Sequence, residues 1–259
     1  MEGNQANITW KTQRNVLIVT IDHQHRRNAL NPEAHHCLAN IFDEFSSDPK
    51  IQVAIITGAG DKAFCSGSDL TVKTGLRRES LPLSGFGGLA ERFDLIKPVI
   101  AAVNGDAIGG GLEIVLACDL CVVARNARFA LPEPRVGLAA SGGLHRLMRQ
   151  IPEKYAKELA LTARMFGAED AHRFGLVNIL CETGAALTQA LLLAKEICRG
   201  APLAVQATKQ LMDHGRQIAE LEKAFSATYP AFDRMINSVD ADEGRRAFLE
   251  KREPKWRAH

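Results

Sequence analysis

Apolar residues alternate between two patterns along the chain. The first is short, nearly unbroken and β-branched, over residues 16–21, 53–58, 98–105, 120–125 and 176–180. Such runs suit strands covered on both faces. The second recurs at helical spacing. Asn31-Pro32-Glu33 supplies a capping side chain, a proline at the first helical position and an acid in the first turn, and Leu38, Ile41, Phe42 and Phe45 follow on one face. Strand and helix alternate, which predicts an α/β core. Past about residue 181 the strand pattern stops. Residues 185–200, 201–215, 218–236 and 240–252 read as helices, with a break near Pro230. Proline, serine and glycine crowd residues 76–88, which read as a mobile loop. The resulting division is a core over 1–198 and a helical region over 199–259.

Composition narrows the classes. The chain has 259 residues, 46% hydrophobic and 24% charged, with a formal net charge of +2, an ordinary globular balance. Arg26-Arg27, Arg77-Arg78 and Arg245-Arg246 are interrupted by acids and read as solvated faces, so no basic surface speaks for nucleic acid or an anionic membrane. No apolar run reaches the roughly 18 residues that span a bilayer. The N-terminal "MEGNQANITW" lacks the basic and apolar regions of a secretory signal. The six cysteines read as reduced, mostly buried thiols of a cytoplasmic protein. Cys118 and Cys121 form a CxxC without a second pair, so no metal site is expected. His23, His25, His35 and His36 read as surface imidazoles.

Candidate chemistry centres on "AIGGGLEIVLACDL", residues 107–120. The glycines do not fit a P-loop, which needs Lys and then Ser or Thr after the last glycine, nor a dinucleotide fingerprint. A strand feeds the turn and a helix starts at about Gly110. The first N–H groups of a helix lack internal acceptors and sit in positive potential, so they suit a developing oxyanion as well as a phosphate. Glu113 is in that first turn, either as chemistry or as an acid favoured there by the helix dipole. A second glycine-rich turn, "GAGDKAFCSGSDL", could also open a helix, with Asp69 among its first residues. Glu133, held between two prolines, reads equally as a site carboxylate or a loop acid.

The segments "RRNALNPE", "VAIITGAGDKAFCSGSDL", "KPVIAAVNGDAIGGGLEIVLACDL", "ARFALPEPRVGL", "GLVN" and "EGRRAFLEKREP" resemble the enoyl-CoA hydratase/isomerase (crotonase) family over nearly the whole chain. The resemblance implies an α/β spiral of β-β-α units with a C-terminal helical region used in trimer assembly, as a homotrimer or a dimer of trimers. It implies an acyl-CoA thioester as substrate, with coenzyme A entering as part of it and no further cofactor. By the same resemblance, the backbone N–H groups of Ser68 and Gly110 would form an oxyanion hole. Glu113 and Glu133, twenty residues apart, would be the catalytic pair of a hydratase. Substrate contacts would come from Arg27, Ala29, Leu30, Cys65, Ser66, Gly67, Asp69, Leu70 and Gly109, and from Phe248 and Lys251 toward a neighbouring subunit's CoA. The implied reaction is reversible addition of water to a 2-enoyl-CoA. "SGFGGLAERFDLIKPVIAAVNG" and "EKREPKW" resemble the carnitinyl-CoA dehydratases within the family, for which Phe86, Glu91, Phe93 and Asp94 are candidates to meet a quaternary ammonium. An isomerase, or a non-catalytic RNA- or protein-binding homologue, are the other readings. "AASGG" at 139–143 departs from the family's "PGxGG", and loop 71–94 is where acyl specificity is expected.

Overall fold

The computed structural model describes residues 1–72 and 80–259, and every statement of structure below concerns these. Strands are β1 (Glu2–Gln5), β2 (Ile8–Gln13), β3 (Val16–Ile21), β4 (Val53–Gly58), β5 (Ala63–Cys65), β6 (Val99–Val103), β7 (Asp106–Ile108), β8 (Leu120–Ala124), β9 (Arg128–Ala130), β10 (Phe166–Gly167) and β11 (Ile179–Cys181). Helices are α1 (Pro32–Ser47), α2 (Gly110–Ala117), α3 (Leu144–Gln150), α4 (Glu153–Thr162), α5 (Ala168–Arg173), α6 (Ala186–Ile197), α7 (Pro202–Gly215), α8 (Leu221–Ser226), α9 (Pro230–Ile236) and α10 (Val239–Leu249).

Two sheets form from these strands. The larger runs β1-β2-β3-β4-β6-β8-β11, parallel from β3 onward, and the smaller runs β10-β9-β7-β5. Each turn of the chain gives one strand to each sheet. β4 then β5, β6 then β7, and β8 then β9 climb in parallel, so the backbone winds as a spiral. The continuous apolar runs are explained by burial on both faces. Leu17, Val19, Ala54, Ile56, Ala101 and Val103 face the main core with α1 and α2. Ile18, Val53, Ile55, Ile100 and Val122 face the other way, against Ala186, Ala190 and Ala194 of α6. Alanine at every fourth position lets that helix lie close on the sheet.

Local rules set the ends of α1. The Asn31 side chain accepts the Ala34 N–H at 2.8 Å. At the other end the buried Lys97 ammonium donates to the Phe45 carbonyl at 2.8 Å and to that of Asp48 at 2.6 Å. The C-terminal helices attach through Lys209, which donates to the Lys97 carbonyl and pairs with Asp119 at 2.7 Å. Beyond α10 the chain folds back. Asp240 accepts the N–H groups of Arg257 and Ala258 at 2.7 and 2.8 Å, while Glu243 pairs with Arg246 and Arg252 and accepts the Lys255 N–H. Among the described residues, no helix is long and apolar enough to cross a membrane, and no group of three or more His, Cys, Asp or Glu is placed to hold a metal ion.

Three expectations need correction. The turn after β5 opens no helix over 66–72. Asp69 instead accepts the Thr71 N–H and hydroxyl, at 3.0 and 2.6 Å, and closes a tight turn. Residues 76–79 of the expected mobile loop lie outside the described residues, but Phe86, Gly87 and Gly88 are buried in a short 3-10 helix over Phe86–Gly88. Its glycines take positive φ, and a Cβ on Gly88 would overlap the Ala39 backbone, so the loop is pressed onto α1. His35 is not a surface imidazole: it is 1% exposed, inside the face that α1 turns to this loop.

Candidate active site

The site is built where the two sheets turn toward α2. β7 is followed by Gly109, whose φ of +56° and missing side chain make the bend into the helix. A Cβ on Gly111 would overlap the Cys65 carbonyl oxygen, so the first turn of α2 lies directly on the end of β5. The two glycine-rich turns therefore meet. A Cβ on Gly67 would stand 3.2 Å from the Ile108 carbonyl oxygen and 3.5 Å from the Gly110 nitrogen.

Backbone donors are left over at this meeting point. The Leu30 N–H bonds the Gly67 carbonyl at 2.9 Å, and the Asp69 N–H bonds the Leu30 carbonyl at 2.8 Å. This parallel bridge leaves out the N–H of Ser68 between them. Gly110, as the first residue of α2, has no intrahelical acceptor. Neither N–H is hydrogen-bonded among the described residues. Behind them, the amides of Asn28 and Asn104 both donate to the Ala63 carbonyl, at 2.7 and 3.1 Å, and so fix the start of β5.

Both carboxylates flank this turn. Glu113, 7% exposed on the first turn of α2, accepts the Gly142 N–H at 2.9 Å. Burial, then the charge of Glu133, raise its pKa to about 7, against the lowering effect of the Gly142 and Gly143 N–H groups; Glu91 adds a smaller push upward. Glu133 follows β9 in a short 3-10 turn over Glu133–Val136. One of its oxygens lies 2.8 Å from where a Gly109 Cβ would stand, and the other, Oε2, is buried with no hydrogen-bond partner among the described residues. Burial raises its pKa as well. Burial disfavours the ionised form of both carboxyl groups, and the Glu133 charge opposes ionisation of Glu113, an arrangement that suits one acid and one base in the same site. Beside two unoccupied N–H donors, such a pair can take a proton from one atom and give one to another while the donors hold a developing oxyanion.

The other predicted residues are placed as follows. Ala29 and Leu30 are buried where the chain runs beside 66–69, and the Ser66 N–H bonds the Arg27 carbonyl. The Arg27 guanidinium is exposed, 3.9 Å from Asp106, which Arg128 also grips at 2.7 Å. Cys65 is a buried thiol pushed up to about 12 by burial, so only its backbone is available. Leu70 is exposed. Phe248 and Lys251 are exposed on and just past α10, on a helix that packs against α9, and are not brought to Glu113 and Glu133 within the described chain. Sequence reasoning misses Gly142. The glycine pair in "AASGG" is its signal: a Cβ on Gly142 would stand 3.0 Å from a Glu113 oxygen. The departure from "PGxGG" thus keeps the part that touches the carboxylate.

The family model described as enoyl-CoA hydratase/isomerase matches residues 11–259. The chain belongs to the enoyl-CoA hydratase/isomerase family. Its spiral is the crotonase fold. An enoyl-CoA hydratase of Mycobacterium tuberculosis H37Rv superposes with a TM-score of 0.92 at 39% identity, over 98% of this chain and all of that one. A carnitinyl-CoA hydratase of Mycobacterium avium superposes with a TM-score of 0.78 at 38% identity, over 99% of this chain and all of that one. Among curated relatives, a carnitinyl-CoA dehydratase of Proteus mirabilis (strain HI4320) is 38% identical over 255 residues, 95% of this chain and 96% of its own length. This crotonase is thus similar throughout to proteins named as hydratases and dehydratases.

Proposed function

We propose that this crotonase is an enoyl-CoA hydratase, a hydro-lyase that reversibly adds water across the double bond of a 2-enoyl-CoA to give a 3-hydroxyacyl-CoA. The observation that carries this reading is the pair of a buried Glu113 and a half-buried Glu133, whose Oε2 is buried, on either side of a turn whose two N–H donors are unpaired among the described residues. In the forward direction the ionised carboxylate takes a proton from water as its oxygen attacks Cβ. Electrons move onto the thioester oxygen, where the Ser68 and Gly110 N–H groups would hold the enolate. The protonated carboxyl then delivers its proton to Cα. Removing one such donor typically costs about 3 kcal/mol of barrier. The exposed guanidinium of Arg27 and the backbone near Ser66 offer a path for the phosphates and pantetheine. The reading includes a homotrimer or dimer of trimers, with Phe248 and Lys251 facing a neighbour's CoA, a helical assembly region over 199–259, and a cytoplasmic setting.

A second reading has one specific support. The curated relatives at 38–39% identity are named carnitinyl-CoA dehydratases. In this structure Glu91 lies near enough for its charge to act on Glu113, and an acid near the acyl tail suits a quaternary ammonium. Crotonyl-CoA and crotonobetainyl-CoA, offered separately, test both readings. Loss of the conjugated thioester absorbance with crotonyl-CoA supports the general hydratase; loss with crotonobetainyl-CoA alone supports the second. If neither substrate is consumed and a 3-enoyl-CoA is converted instead, the site is that of an isomerase.

A further inference from the structure

His35 and the loop it meets are unused by the chemistry above, yet they are built into the back of the site. The imidazole is buried, and its Nδ1 accepts the Gly87 N–H at 3.1 Å. Its ring meets the Phe86 ring edge-on, with centroids 4.3 Å apart. Phe86 in turn lies against Gly110: a Cβ there would overlap the ring, nearest its Cζ. Gly87 itself presses on Ile114 of α2, one turn further along the helix. A contact chain therefore runs from α1 through His35, Gly87 and Phe86 to the residue whose N–H is a proposed oxyanion donor.

We propose that His35 is a positioning residue for this reaction: by accepting the Gly87 N–H it seats Phe86 against Gly110 and so fixes the aim of the Gly110 N–H. The inference rests on the hydratase reading. The bond requires an unprotonated Nδ1, so the ring proton resides on Nε2. Burial, with a smaller push from His36, lowers the imidazole pKa to about 4, which keeps that lone pair available at physiological pH. Arg92 ties the far end of the loop, donating to the Gly88 and Ala39 carbonyls at 2.9 and 3.2 Å, whereas the Gly87 N–H is held by His35. Gly85, Gly87 and Gly88 all take positive φ, and a glycine-rich segment of this kind samples many conformations unless it is tied. A misplacement of about 1 Å at a donor can cost on the order of a hundredfold in rate, which gives a remote hydrogen bond leverage over kcat.

Three variants at one position make the test: His35→Leu, which removes the acceptor; His35→Asn, whose Oδ1 stands where Nδ1 does; and His35→Gln, whose acceptor lies one bond further out. Each is assayed for kcat and KM on the 2-enoyl-CoA that the wild type hydrates. The expected result is a kcat lower by about tenfold or more for Leu and Gln, with KM within about threefold, and near-wild-type kcat for Asn. Phe86→Leu, which leaves the loop hydrogen bond in place, is expected to lose kcat in the same way. Wild-type kcat in His35→Leu, equal kcat in Asn and Gln, or wild-type kcat in Phe86→Leu each overturns the proposal. Should His35→Leu fail to fold, the comparison of Asn with Gln decides the same question. A wild type that hydrates no 2-enoyl-CoA overturns the hydratase reading and this inference with it, whereas an active wild type with an indifferent His35 overturns the inference alone.

Discussion

At Glu113, burial and the charge of Glu133 act in the same direction, and the carboxyl that would ionise near 4.5 in an open chain does so at about 7. Folding is linked to that difference. Because the folded pKa is the higher one, the contribution to stability is full below about 4.5 and is lost as pH rises through 7. Glu113→Gln removes the dependence. The variant is expected to be more stable than wild type at pH 8, by on the order of 3 kcal/mol, and to converge with it near pH 4; denaturant melts at the two pH values read the difference. The same substitution is expected to lower hydration kcat by about 10² to 10⁴, as is Glu133→Gln. A variant of either residue that turned over at the wild-type rate would remove it from the mechanism. Glu113 is legible in the sequence as an acid in a first helical turn, but its neighbour is not. Nothing in the spacing of residues says that Glu133 ends with an oxygen beside Gly109; resemblance supplies that pairing. His35 escapes a sequence reading because one imidazole in a helix shows no sign of which face it takes until the opposing loop is known.

Among the elements, the legible ones are those that bury a long stripe. Strands β3, β4, β6 and β8 of the larger sheet and helices α1, α2, α6 and α7 fall near their expected places, because apolar runs of five or six residues or a full helical face leave a periodic trace. The smaller sheet leaves none. β5, β7 and β9 are three residues each, too short for a period to register, and yet they lead to the two turns with the proposed oxyanion donors and to Glu133. The polar β1, with Glu2, Asn4 and Gln5, is hidden for the opposite reason: it lies at an edge and has little to bury. Contact between elements also sets what the site tolerates. Gly111→Ala would drive a methyl into the Cys65 carbonyl, backbone against backbone, with no flexible side chain to yield. The expected outcome is a loss of several degrees in Tm, or insoluble protein, while Gly175→Ala, with open space around it but a positive φ, costs about 1 kcal/mol. Thermal melts of the two variants compare steric overlap with backbone preference.

At the scale of the molecule, the helices after the core carry an unusual amount of bare apolar surface. Met212, Leu221, Phe225, Ile236 and Phe248 are all more than half exposed. Large apolar side chains left bare on neighbouring helices suit a surface that is covered by something else, and the proposed assembly covers them with a second copy. Phe225→Asp combined with Leu221→Asp is expected to shift the protein to monomers in sedimentation, with the far-UV spectrum kept. Unchanged sedimentation would put the subunit contact elsewhere. One feature of the spiral reaches further still. Both proposed oxyanion donors are main-chain groups, which no substitution other than proline can delete. In a map of tolerated substitutions over the whole chain, Glu113 and Glu133 would stand out as positions where the folded protein is made and idle. The proposed oxyanion hole would leave another signature, a cluster of glycines at 67, 109 and 111 whose variants lose stability, most severely at 111, where a Cβ meets the Cys65 backbone. Without the structure beside it, such a map would file the most chemically important turn of the enzyme under folding.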